Sequence, residues 1–334
     1  MRAATLQDVA DRAGVSRSTA SSILNGARSS TRTSEATRER VRLAANELAY
    51  RPNAVARSLR HQATHSIGFY NGFGYIDARN AFLSSLIAGM HLQCDQHKYD
   101  LLIHRVSERD DKMAQFQEII SGKVDGVVLW THMNDPLVRM VAERHFPAVA
   151  IADACPELPS ITADDEQGSR LVARRLAASG HKKIMYRTPP VERMSCIRRH
   201  TAFLAEAEKL DLDVMTGVSA DYVGSPSDAE LHAISLPEGQ RPTAIVCWCD
   251  GNALEMVRFF QTTGWAPGGW TNRFSVIGFD GFEVPWLPVK LTSVYVPWDT
   301  VASTAVDVVR KVIAGESVPV QTRIPVRLID GATG

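Results

Sequence analysis

The run TLQDVADRAGVSRSTASSILNG, Thr5 to Gly26, leaves this chain few local folds to choose from. Leu6, Val9, Ala10 and Ala13 recur at the spacing of one helix face. Gly14 breaks that pattern, and Ser16 is placed to cap a second helix by accepting a backbone N–H of its first turn. The second helix runs to about Leu24, where Asn25-Gly26 stops it. Two short helices about a tight glycine turn form a helix-turn-helix, a unit that lays its second helix in the major groove of duplex DNA. The segment SEATRERVRLAANELAY predicts a third helix, capped at Ser34 and apolar at Ala36, Val41, Ala44, Ala45 and Leu48.

Charge agrees with a DNA-holding end. Residues 1–62 carry eleven Arg, no Lys and five acids, a balance of +6 in a chain whose net charge is zero. The rest therefore carries −6, and a basic head on an acidic body suits a protein that meets phosphates with one end. The 334 residues allow two or three domains, and a hydrophobic content of 45% is enough for a sizeable core. No signal peptide or membrane-spanning apolar run is visible. The five cysteines, at 94, 155, 196, 247 and 249, match neither a disulfide framework nor a zinc pattern. They read as reduced, buried thiols of a cytoplasmic protein.

After Arg60 and the polar linker HQATHS, the pattern changes. SIGFY, YDLLIHRV, DGVVLW and PAVAIA read as strands, with helices near 80–97, 110–121 and 135–144 between them. The alternation restarts with a helix at 166–179, KKIMYR, a helix near 199–210, TAIVCWC, a helix at 251–263 and FSVIGFD. The expectation is an N-terminal all-α helix-turn-helix headpiece followed by an α/β core of two doubly wound parallel-sheet lobes. Ligands in such sheets sit beyond the carboxyl ends of the strands, so the cleft between the lobes is the expected site.

The headpiece, together with the segment RPNAVARSLR (Arg51 to Arg60), resembles the LacI/GalR family of bacterial transcription regulators. The core carries matching landmarks. NAFLSSLIAGM resembles the first core helix, with Ala81 where Pro is usual. ITADDEQGSRLVARRLAASGHKKI resembles the segment opening the second lobe, matching at Asp164, Gly168, Gly180 and His181. RRHTAF has Ala202 in place of Gly, PTAIVCWCD has Cys249 in place of Asn, and SVIGFDG has Gly281 in place of a second Asp. LTSVYVP resembles the strand returning to the first lobe. The resemblance implies a headpiece at 1–52, a hinge helix and linker at 53–65, and a periplasmic-binding-protein-like effector and dimerisation core at 66–334. Lobe 1 would combine about 66–161 with 296–320, and lobe 2 about 162–290 with 321–334.

On this reading Arg17, Ser18 and Ser22 reach base edges, because they begin or share one face of the second helix. Arg17 can bridge guanine O6 and N7, a contact worth roughly 1–3 kcal/mol of discrimination. Thr5, Thr19, Ser21, Asn25 and Thr33 are candidates for phosphate contacts. The hinge, with Asn53, Ala56, Arg57 and Leu59, is too short to be a stable helix alone. The resemblance implies that it folds when two copies meet over the minor groove, Leu59 wedging between base pairs.

For the effector the candidates are Arg199, Asp250, Asp280, Tyr222 and Phe82, with Trp130, Trp248, Asn71 and Phe73 nearby in the pattern. Carboxylates and a guanidinium hold paired hydroxyls, and aromatic faces cover a sugar ring, so a neutral sugar is the expected effector and a nucleobase the alternative. No P-loop, dinucleotide fingerprint, nucleophile elbow or metal cluster is present, which sets an enzyme aside and calls for no cofactor. A transport-type sugar-binding protein would use the same core but not the headpiece. The expected protein is a dimeric repressor whose partners are operator DNA and a small effector, without a membrane. No heptad repeat follows RIPVRLIDGATG, which points to dimers rather than coiled-coil tetramers.

Overall fold

The computed structural model describes residues 4–25, 33–51, 58, 63–74, 80–104, 111–132, 134–190, 193–263, 274–282 and 290–334. Contacts divide the chain into two units, Met1–Thr64 and His65–Gly334.

The described residues of the first unit include α1 (Leu6–Ala13), α2 (Arg17–Asn25) and α3 (Glu35–Glu47). Each start has a side-chain cap. Thr5 and Asp8 form a reciprocal capping box, Ser16 Oγ accepts from Thr19 N at 3.1 Å, and Ser34 caps α3. Gly14 ends α1 in the left-handed region at φ +65°, which is why glycine stands there. Val9, Ala10, Ala13, Ala20, Val41, Ala44 and Ala45 form the core of this unit. Ala36, expected on the apolar face of α3, is exposed. It lies in the first turn of α3, whose buried residues begin at Val41.

The second unit contains two six-stranded sheets. The first runs in the order β11-β5-β4-β3-β1-β2, from β1 (Ser66–Asn71), β2 (Asp100–Ile103), β3 (Gly126–Trp130), β4 (Ala148–Ile151), β5 (Ser160–Ala163) and β11 (Gln321–Ile324), all parallel. The second runs β12-β10-β9-β8-β6-β7, from β6 (Lys183–Thr188), β7 (Asp213–Val218), β8 (Ala244–Cys247), β9 (Ser275–Asp280), β10 (Thr292–Tyr295) and β12 (Arg327–Ile329). Only β12, paired with β10, is antiparallel in the described ladders. The helices α4 (Ala81–Gln96), α5 (Lys112–Ile119), α6 (Pro136–Glu143), α7 (Asp165–Ala178), α8 (Met194–Lys209), α9 (Asp228–Ser235), α10 (Asp250–Thr263) and α11 (Trp298–Ile313) lie between the strands in sequence. One apolar cluster runs through both lobes, from Ile67 and Phe69 through Phe279 and Trp298 to Tyr186 and Phe203.

The doubly wound architecture matches the sequence expectation, with two corrections to the lobes. β11 pairs with β5 in the first sheet, although 321–334 was expected in lobe 2. β10 pairs with β9 in the second sheet, although lobe 2 was expected to stop near 290. β11 returns to β5 after a long excursion, Gln321 opposite Ser160, and pairing across such a distance leaves no local mark on a sequence, whereas β10 simply follows β9.

α11 packs along α4 so closely that Gly89 lies against the backbone of Asp299, where a Cβ would collide with it. Gly89→Ala should therefore cost about 1–3 kcal/mol by overpacking. A thermal melt should show a fall of about 2–4 °C for each kcal/mol lost. An unchanged melt would mean that the two helices separate freely.

Candidate functional site

In the headpiece, Arg17 and Ser18 are exposed at the start of α2. Among the described residues Arg17 makes no hydrogen bond or ion pair, whereas Arg12 pairs with Glu47 at 2.7 Å and Arg42 faces Glu35 and Glu39. The Arg17 guanidinium, named above as the candidate base reader, is thus unengaged among the described residues. Ser18 Oγ lies 2.8 Å from Ser16 Oγ, and Ser22 is half-buried one turn on. Thr5 and Thr19 combine capping bonds with partial exposure. Ser21, read as a phosphate contact, is only 2% exposed and faces the headpiece core beside Ala20. That burial corrects the expectation of a phosphate contact. Thr33 is half-buried just before the Ser34 cap, and Asn25 ends α2. The hinge residues Asn53, Ala56, Arg57 and Leu59 lie outside the described residues.

In the core, the carboxyl ends of the two sheets meet. On the first lobe, rings gather after β1 and β3. Phe73 and Phe82 lie 4.5 and 4.9 Å from Trp130 between centroids, and Phe82 meets Trp298 edge-on at 4.7 Å. His132 stands edge-on to Phe73 at 4.3 Å. Asn71, a ligand candidate, instead builds the turn beneath them, accepting from Phe73 N at 3.0 Å and donating to the Gly74 carbonyl at 2.8 Å.

On the second lobe, Arg199 is buried in α8, which begins at Met194 rather than near 199. Its Nε donates to Asp165 Oδ1 at 2.8 Å, its Nη1 to the Trp248 carbonyl at 2.6 Å, and its guanidinium lies 3.6 Å from the centroid of Phe279. Arg198 holds the other oxygen of Asp165 at 2.6 Å. Asp250 accepts from Ser293 Oγ and from Phe282 N, so its carboxylate is occupied within the fold and joins β9–β10 to α10. Trp248 and Cys249 follow β8, Trp248 buried and Cys249 half-buried. Burial pushes the Cys249 thiol well above its ordinary value. Tyr222 is 56% exposed on the loop after β7.

Asp280 is where the lobes join. It ends β9 at φ +128°, an uncommon conformation for a residue with a side chain, and accepts from Trp298 Nε1 at 3.1 Å. Burial, and then the neighbouring Asp250 carboxylate, raise the Asp280 carboxyl far above the usual range against the pull of Arg199. Further contacts span the lobes, two of them at the start of α8. Ser195 N donates to Asp153 Oδ1 at 2.8 Å, and the Arg193 guanidinium lies 4.3 Å from the centroid of Phe73. Arg193 was not singled out in the sequence, yet it had a signal. It occupies the N-cap of α8 without a capping bond, a position where Ser or Asp is favoured and positive charge is not.

The structure thus brings together Phe73, Phe82, Trp130, Arg193, Trp298 and Asp280 at one mouth. Arg199, Trp248 and Asp250 lie behind Asp280 as its support. Among the described residues no helix is long and apolar enough to cross a membrane, and no cluster could hold a metal ion.

Comparison with known proteins agrees with both halves. Residues 5–53 match the family described as bacterial regulatory proteins, lacI family, and residues 173–333 match a periplasmic binding protein-like domain. The chain is similar to the HTH-type transcriptional repressor PurR of Vibrio parahaemolyticus serotype O3:K6, 31% identical over 291 residues, covering 84% of this chain and 83% of that one. It is 29% identical over 293 residues to the repressor of the same name from Aliivibrio fischeri strain MJ11, again covering 84% and 83%. Among solved structures, the lac repressor dimer bound to operator and the anti-inducer ONPF aligns over 99% of both chains, with a TM-score of 0.82 and 26% identity.

The raised pKa of Asp280 has a consequence for stability. A carboxyl whose folded value lies above its unfolded value, about 3.9, adds stability that is complete below that value and lost as pH rises through the folded one. Asp280→Asn removes that loss. Its melting temperature relative to the parent should climb as the pH goes from about 4 to about 9. A constant difference across that range would show that Asp280 ionises as freely as in water.

Proposed function

The chain belongs to the LacI family of bacterial regulatory proteins, DNA-binding transcriptional repressors with an effector-binding domain, and on that premise we propose how this member reads its operator and its effector. As members of a family of transcription regulators such chains are not enzymes. Two copies bind a roughly palindromic operator in the cytoplasm. Each headpiece reads one half-site through Arg17, with Ser18 and Ser22 beside it. The hinge segment, with Leu59 as the wedge, seats in the minor groove between them.

The effector binds where the lobes meet, and a planar ring of the nucleobase class fits there best. The observation that carries this is the Arg193 guanidinium stacked on Phe73, beside an aromatic wall that ends at Asp280. A flat heterocycle offers faces to Phe73, Phe82 or Trp130 and edge groups to Arg193 and Asp280. A buried carboxyl that tends to keep its proton both donates and accepts, which suits a neutral ring with mixed edges. The sugar expected from sequence rested on two carboxylates and Tyr222. Asp250 is already engaged by Ser293 and Phe282, so that reading loses one of its two carboxylates, while an exposed ring such as Tyr222 can cover a flat base as well as a sugar. The PurR name of the relatives points the same way.

Calorimetric titration with purine bases and with a panel of monosaccharides and galactosides separates the two readings. A purine base should bind the parent chain, and Asp280→Ala should weaken it about 5- to 150-fold, since leaving the buried edge group of the ring without its partner costs about 1–3 kcal/mol. Saturable sugar binding with no response to bases would overturn the nucleobase assignment.

Arg17→Ala should lower affinity for the selected operator about 5- to 150-fold, the range of one bidentate guanine contact, with a smaller loss on random DNA. Equal losses on both in a gel shift would make Arg17 a phosphate contact.

A further inference from the structure

Arg187 has the largest side chain among the fully buried residues, and the effector reading above does not use it. It lies near the carboxyl end of β6, opposite Gly217 of the edge strand β7 and Cys247 of β8. A guanidinium there must be neutralised and fully bonded, and it is. Nε and Nη2 grip the two oxygens of Glu230 at 2.7 and 3.0 Å, and Nη1 donates to Asn252 Oδ1 at 2.9 Å. Nη2 also donates to the Gly224 carbonyl at 3.0 Å.

These partners come from three places that nothing else in the described structure ties together so directly. Glu230 lies on α9, Asn252 in the first turn of α10, and Gly224 in the loop after β7. The site is cut to fit. A Cβ on Gly217 would stand 2.7 Å from Glu230 Oε1, and one on Gly224, whose φ is +100°, would collide with the Asn252 amide. The loop is closed on itself as well. Asp221 Oδ1 accepts from Gly224 N and Ser225 N, Ser219 Oγ donates to the Asp221 carbonyl, and Ala220 N donates to the Ser225 carbonyl. Out of this frame project Tyr222 and Val223, 56% and 66% exposed. The loop follows the carboxyl end of β7, the same sheet edge from which Trp248 and Asp280 extend.

We propose that Arg187 is a positioning residue for effector recognition: through Glu230, Asn252 and the Gly224 carbonyl it locks the 219–225 loop, so that Tyr222 is held at the mouth of the second lobe. This rests on the reading of that mouth as the effector site. Asn252 and Asp250 share the first turn of α10, and Asp250 is bonded to Ser293 and Phe282, so one rigid frame carries both the Tyr222 loop and the strand end bearing Asp280. A buried ion pair is a poor device for stability, because an apolar pair of similar volume often does as well. A bidentate fork that also binds a loop carbonyl fixes geometry, which an apolar pair cannot do.

The test uses the full-length chain with Arg187→Met and Glu230→Leu together, so that no single charge is left in the core. Its melting temperature should stay close to the parent's. Amide exchange at Ala220, Gly224 and Ser225 should rise at least about tenfold while β6 and β8 keep their protection. With guanine as the probe, the double variant should lose as much affinity as Tyr222→Ala, and combining the changes should add no further loss. Affinity for operator without ligand should match the parent's. Unchanged exchange in the loop overturns the proposal, and so does raised exchange with guanine affinity intact. If guanine does not bind the parent chain, the nucleobase reading fails, and the exchange result alone decides whether Arg187 holds the loop.

Discussion

Asp165 holds two guanidinium groups at once, and the second lobe's half of the cleft is arranged round that contact. It is the first residue of α7, directly after the Asp164 cap and the end of β5, where the chain passes from one sheet to the other. One oxygen takes Arg199 and the other Arg198, and all of this is buried or nearly so. Arg199 then draws α8 against β8 and β9 through the Trp248 carbonyl and the Phe279 ring. Arg198 comes within 3.9 Å of Asp153 on the first lobe. Removing one partner of such a cluster leaves a buried charge uncompensated, at a cost of about 3–5 kcal/mol. The placement of Asp280 at the end of β9 therefore depends on buried residues behind it.

The same logic explains what could be read from the sequence. Strands such as GVVLW and SVIGFD were legible because a parallel strand buried on both faces is an unbroken apolar run. β7, DVMTGV, passed unnoticed because it is an edge strand, half exposed and interrupted by Gly217. α11 was missed although its Val and Ala residues bury a whole face, because the apolar run LTSVYVP just before it reads as the end of an element. The headpiece was the most legible part, since caps, glycine and apolar spacing all act within a few residues of one another.

Site residues divide along the same line. Position at a strand's carboxyl end was the signal that singled out Asp280, Trp130 and Trp248, and each does stand at or directly after the end of β9, β3 or β8. It could not show how far each carboxyl is engaged by its own fold: Asp250 accepts from Ser293 and Phe282, Asp280 from Trp298. Arg193 was hidden by placing the start of α8 five residues late, which turned an uncapped helix terminus into loop. Arg187 carried no local signal at all, because its partners Glu230, Asn252 and Gly224 are 37 to 65 residues away in sequence.

The central claim is that occupancy of the junction between the lobes and occupancy of the DNA surface are coupled. Coupling between two sites is reciprocal by thermodynamic necessity and typically amounts to about 1–3 kcal/mol, or about 5- to 150-fold. The most direct measurement is a closed cycle on the full chain: operator affinity with and without a saturating purine base, and base affinity with and without operator. The account predicts that both ratios depart from one by the same factor, within that range. A base that binds in the cleft with operator affinity unchanged would contradict it.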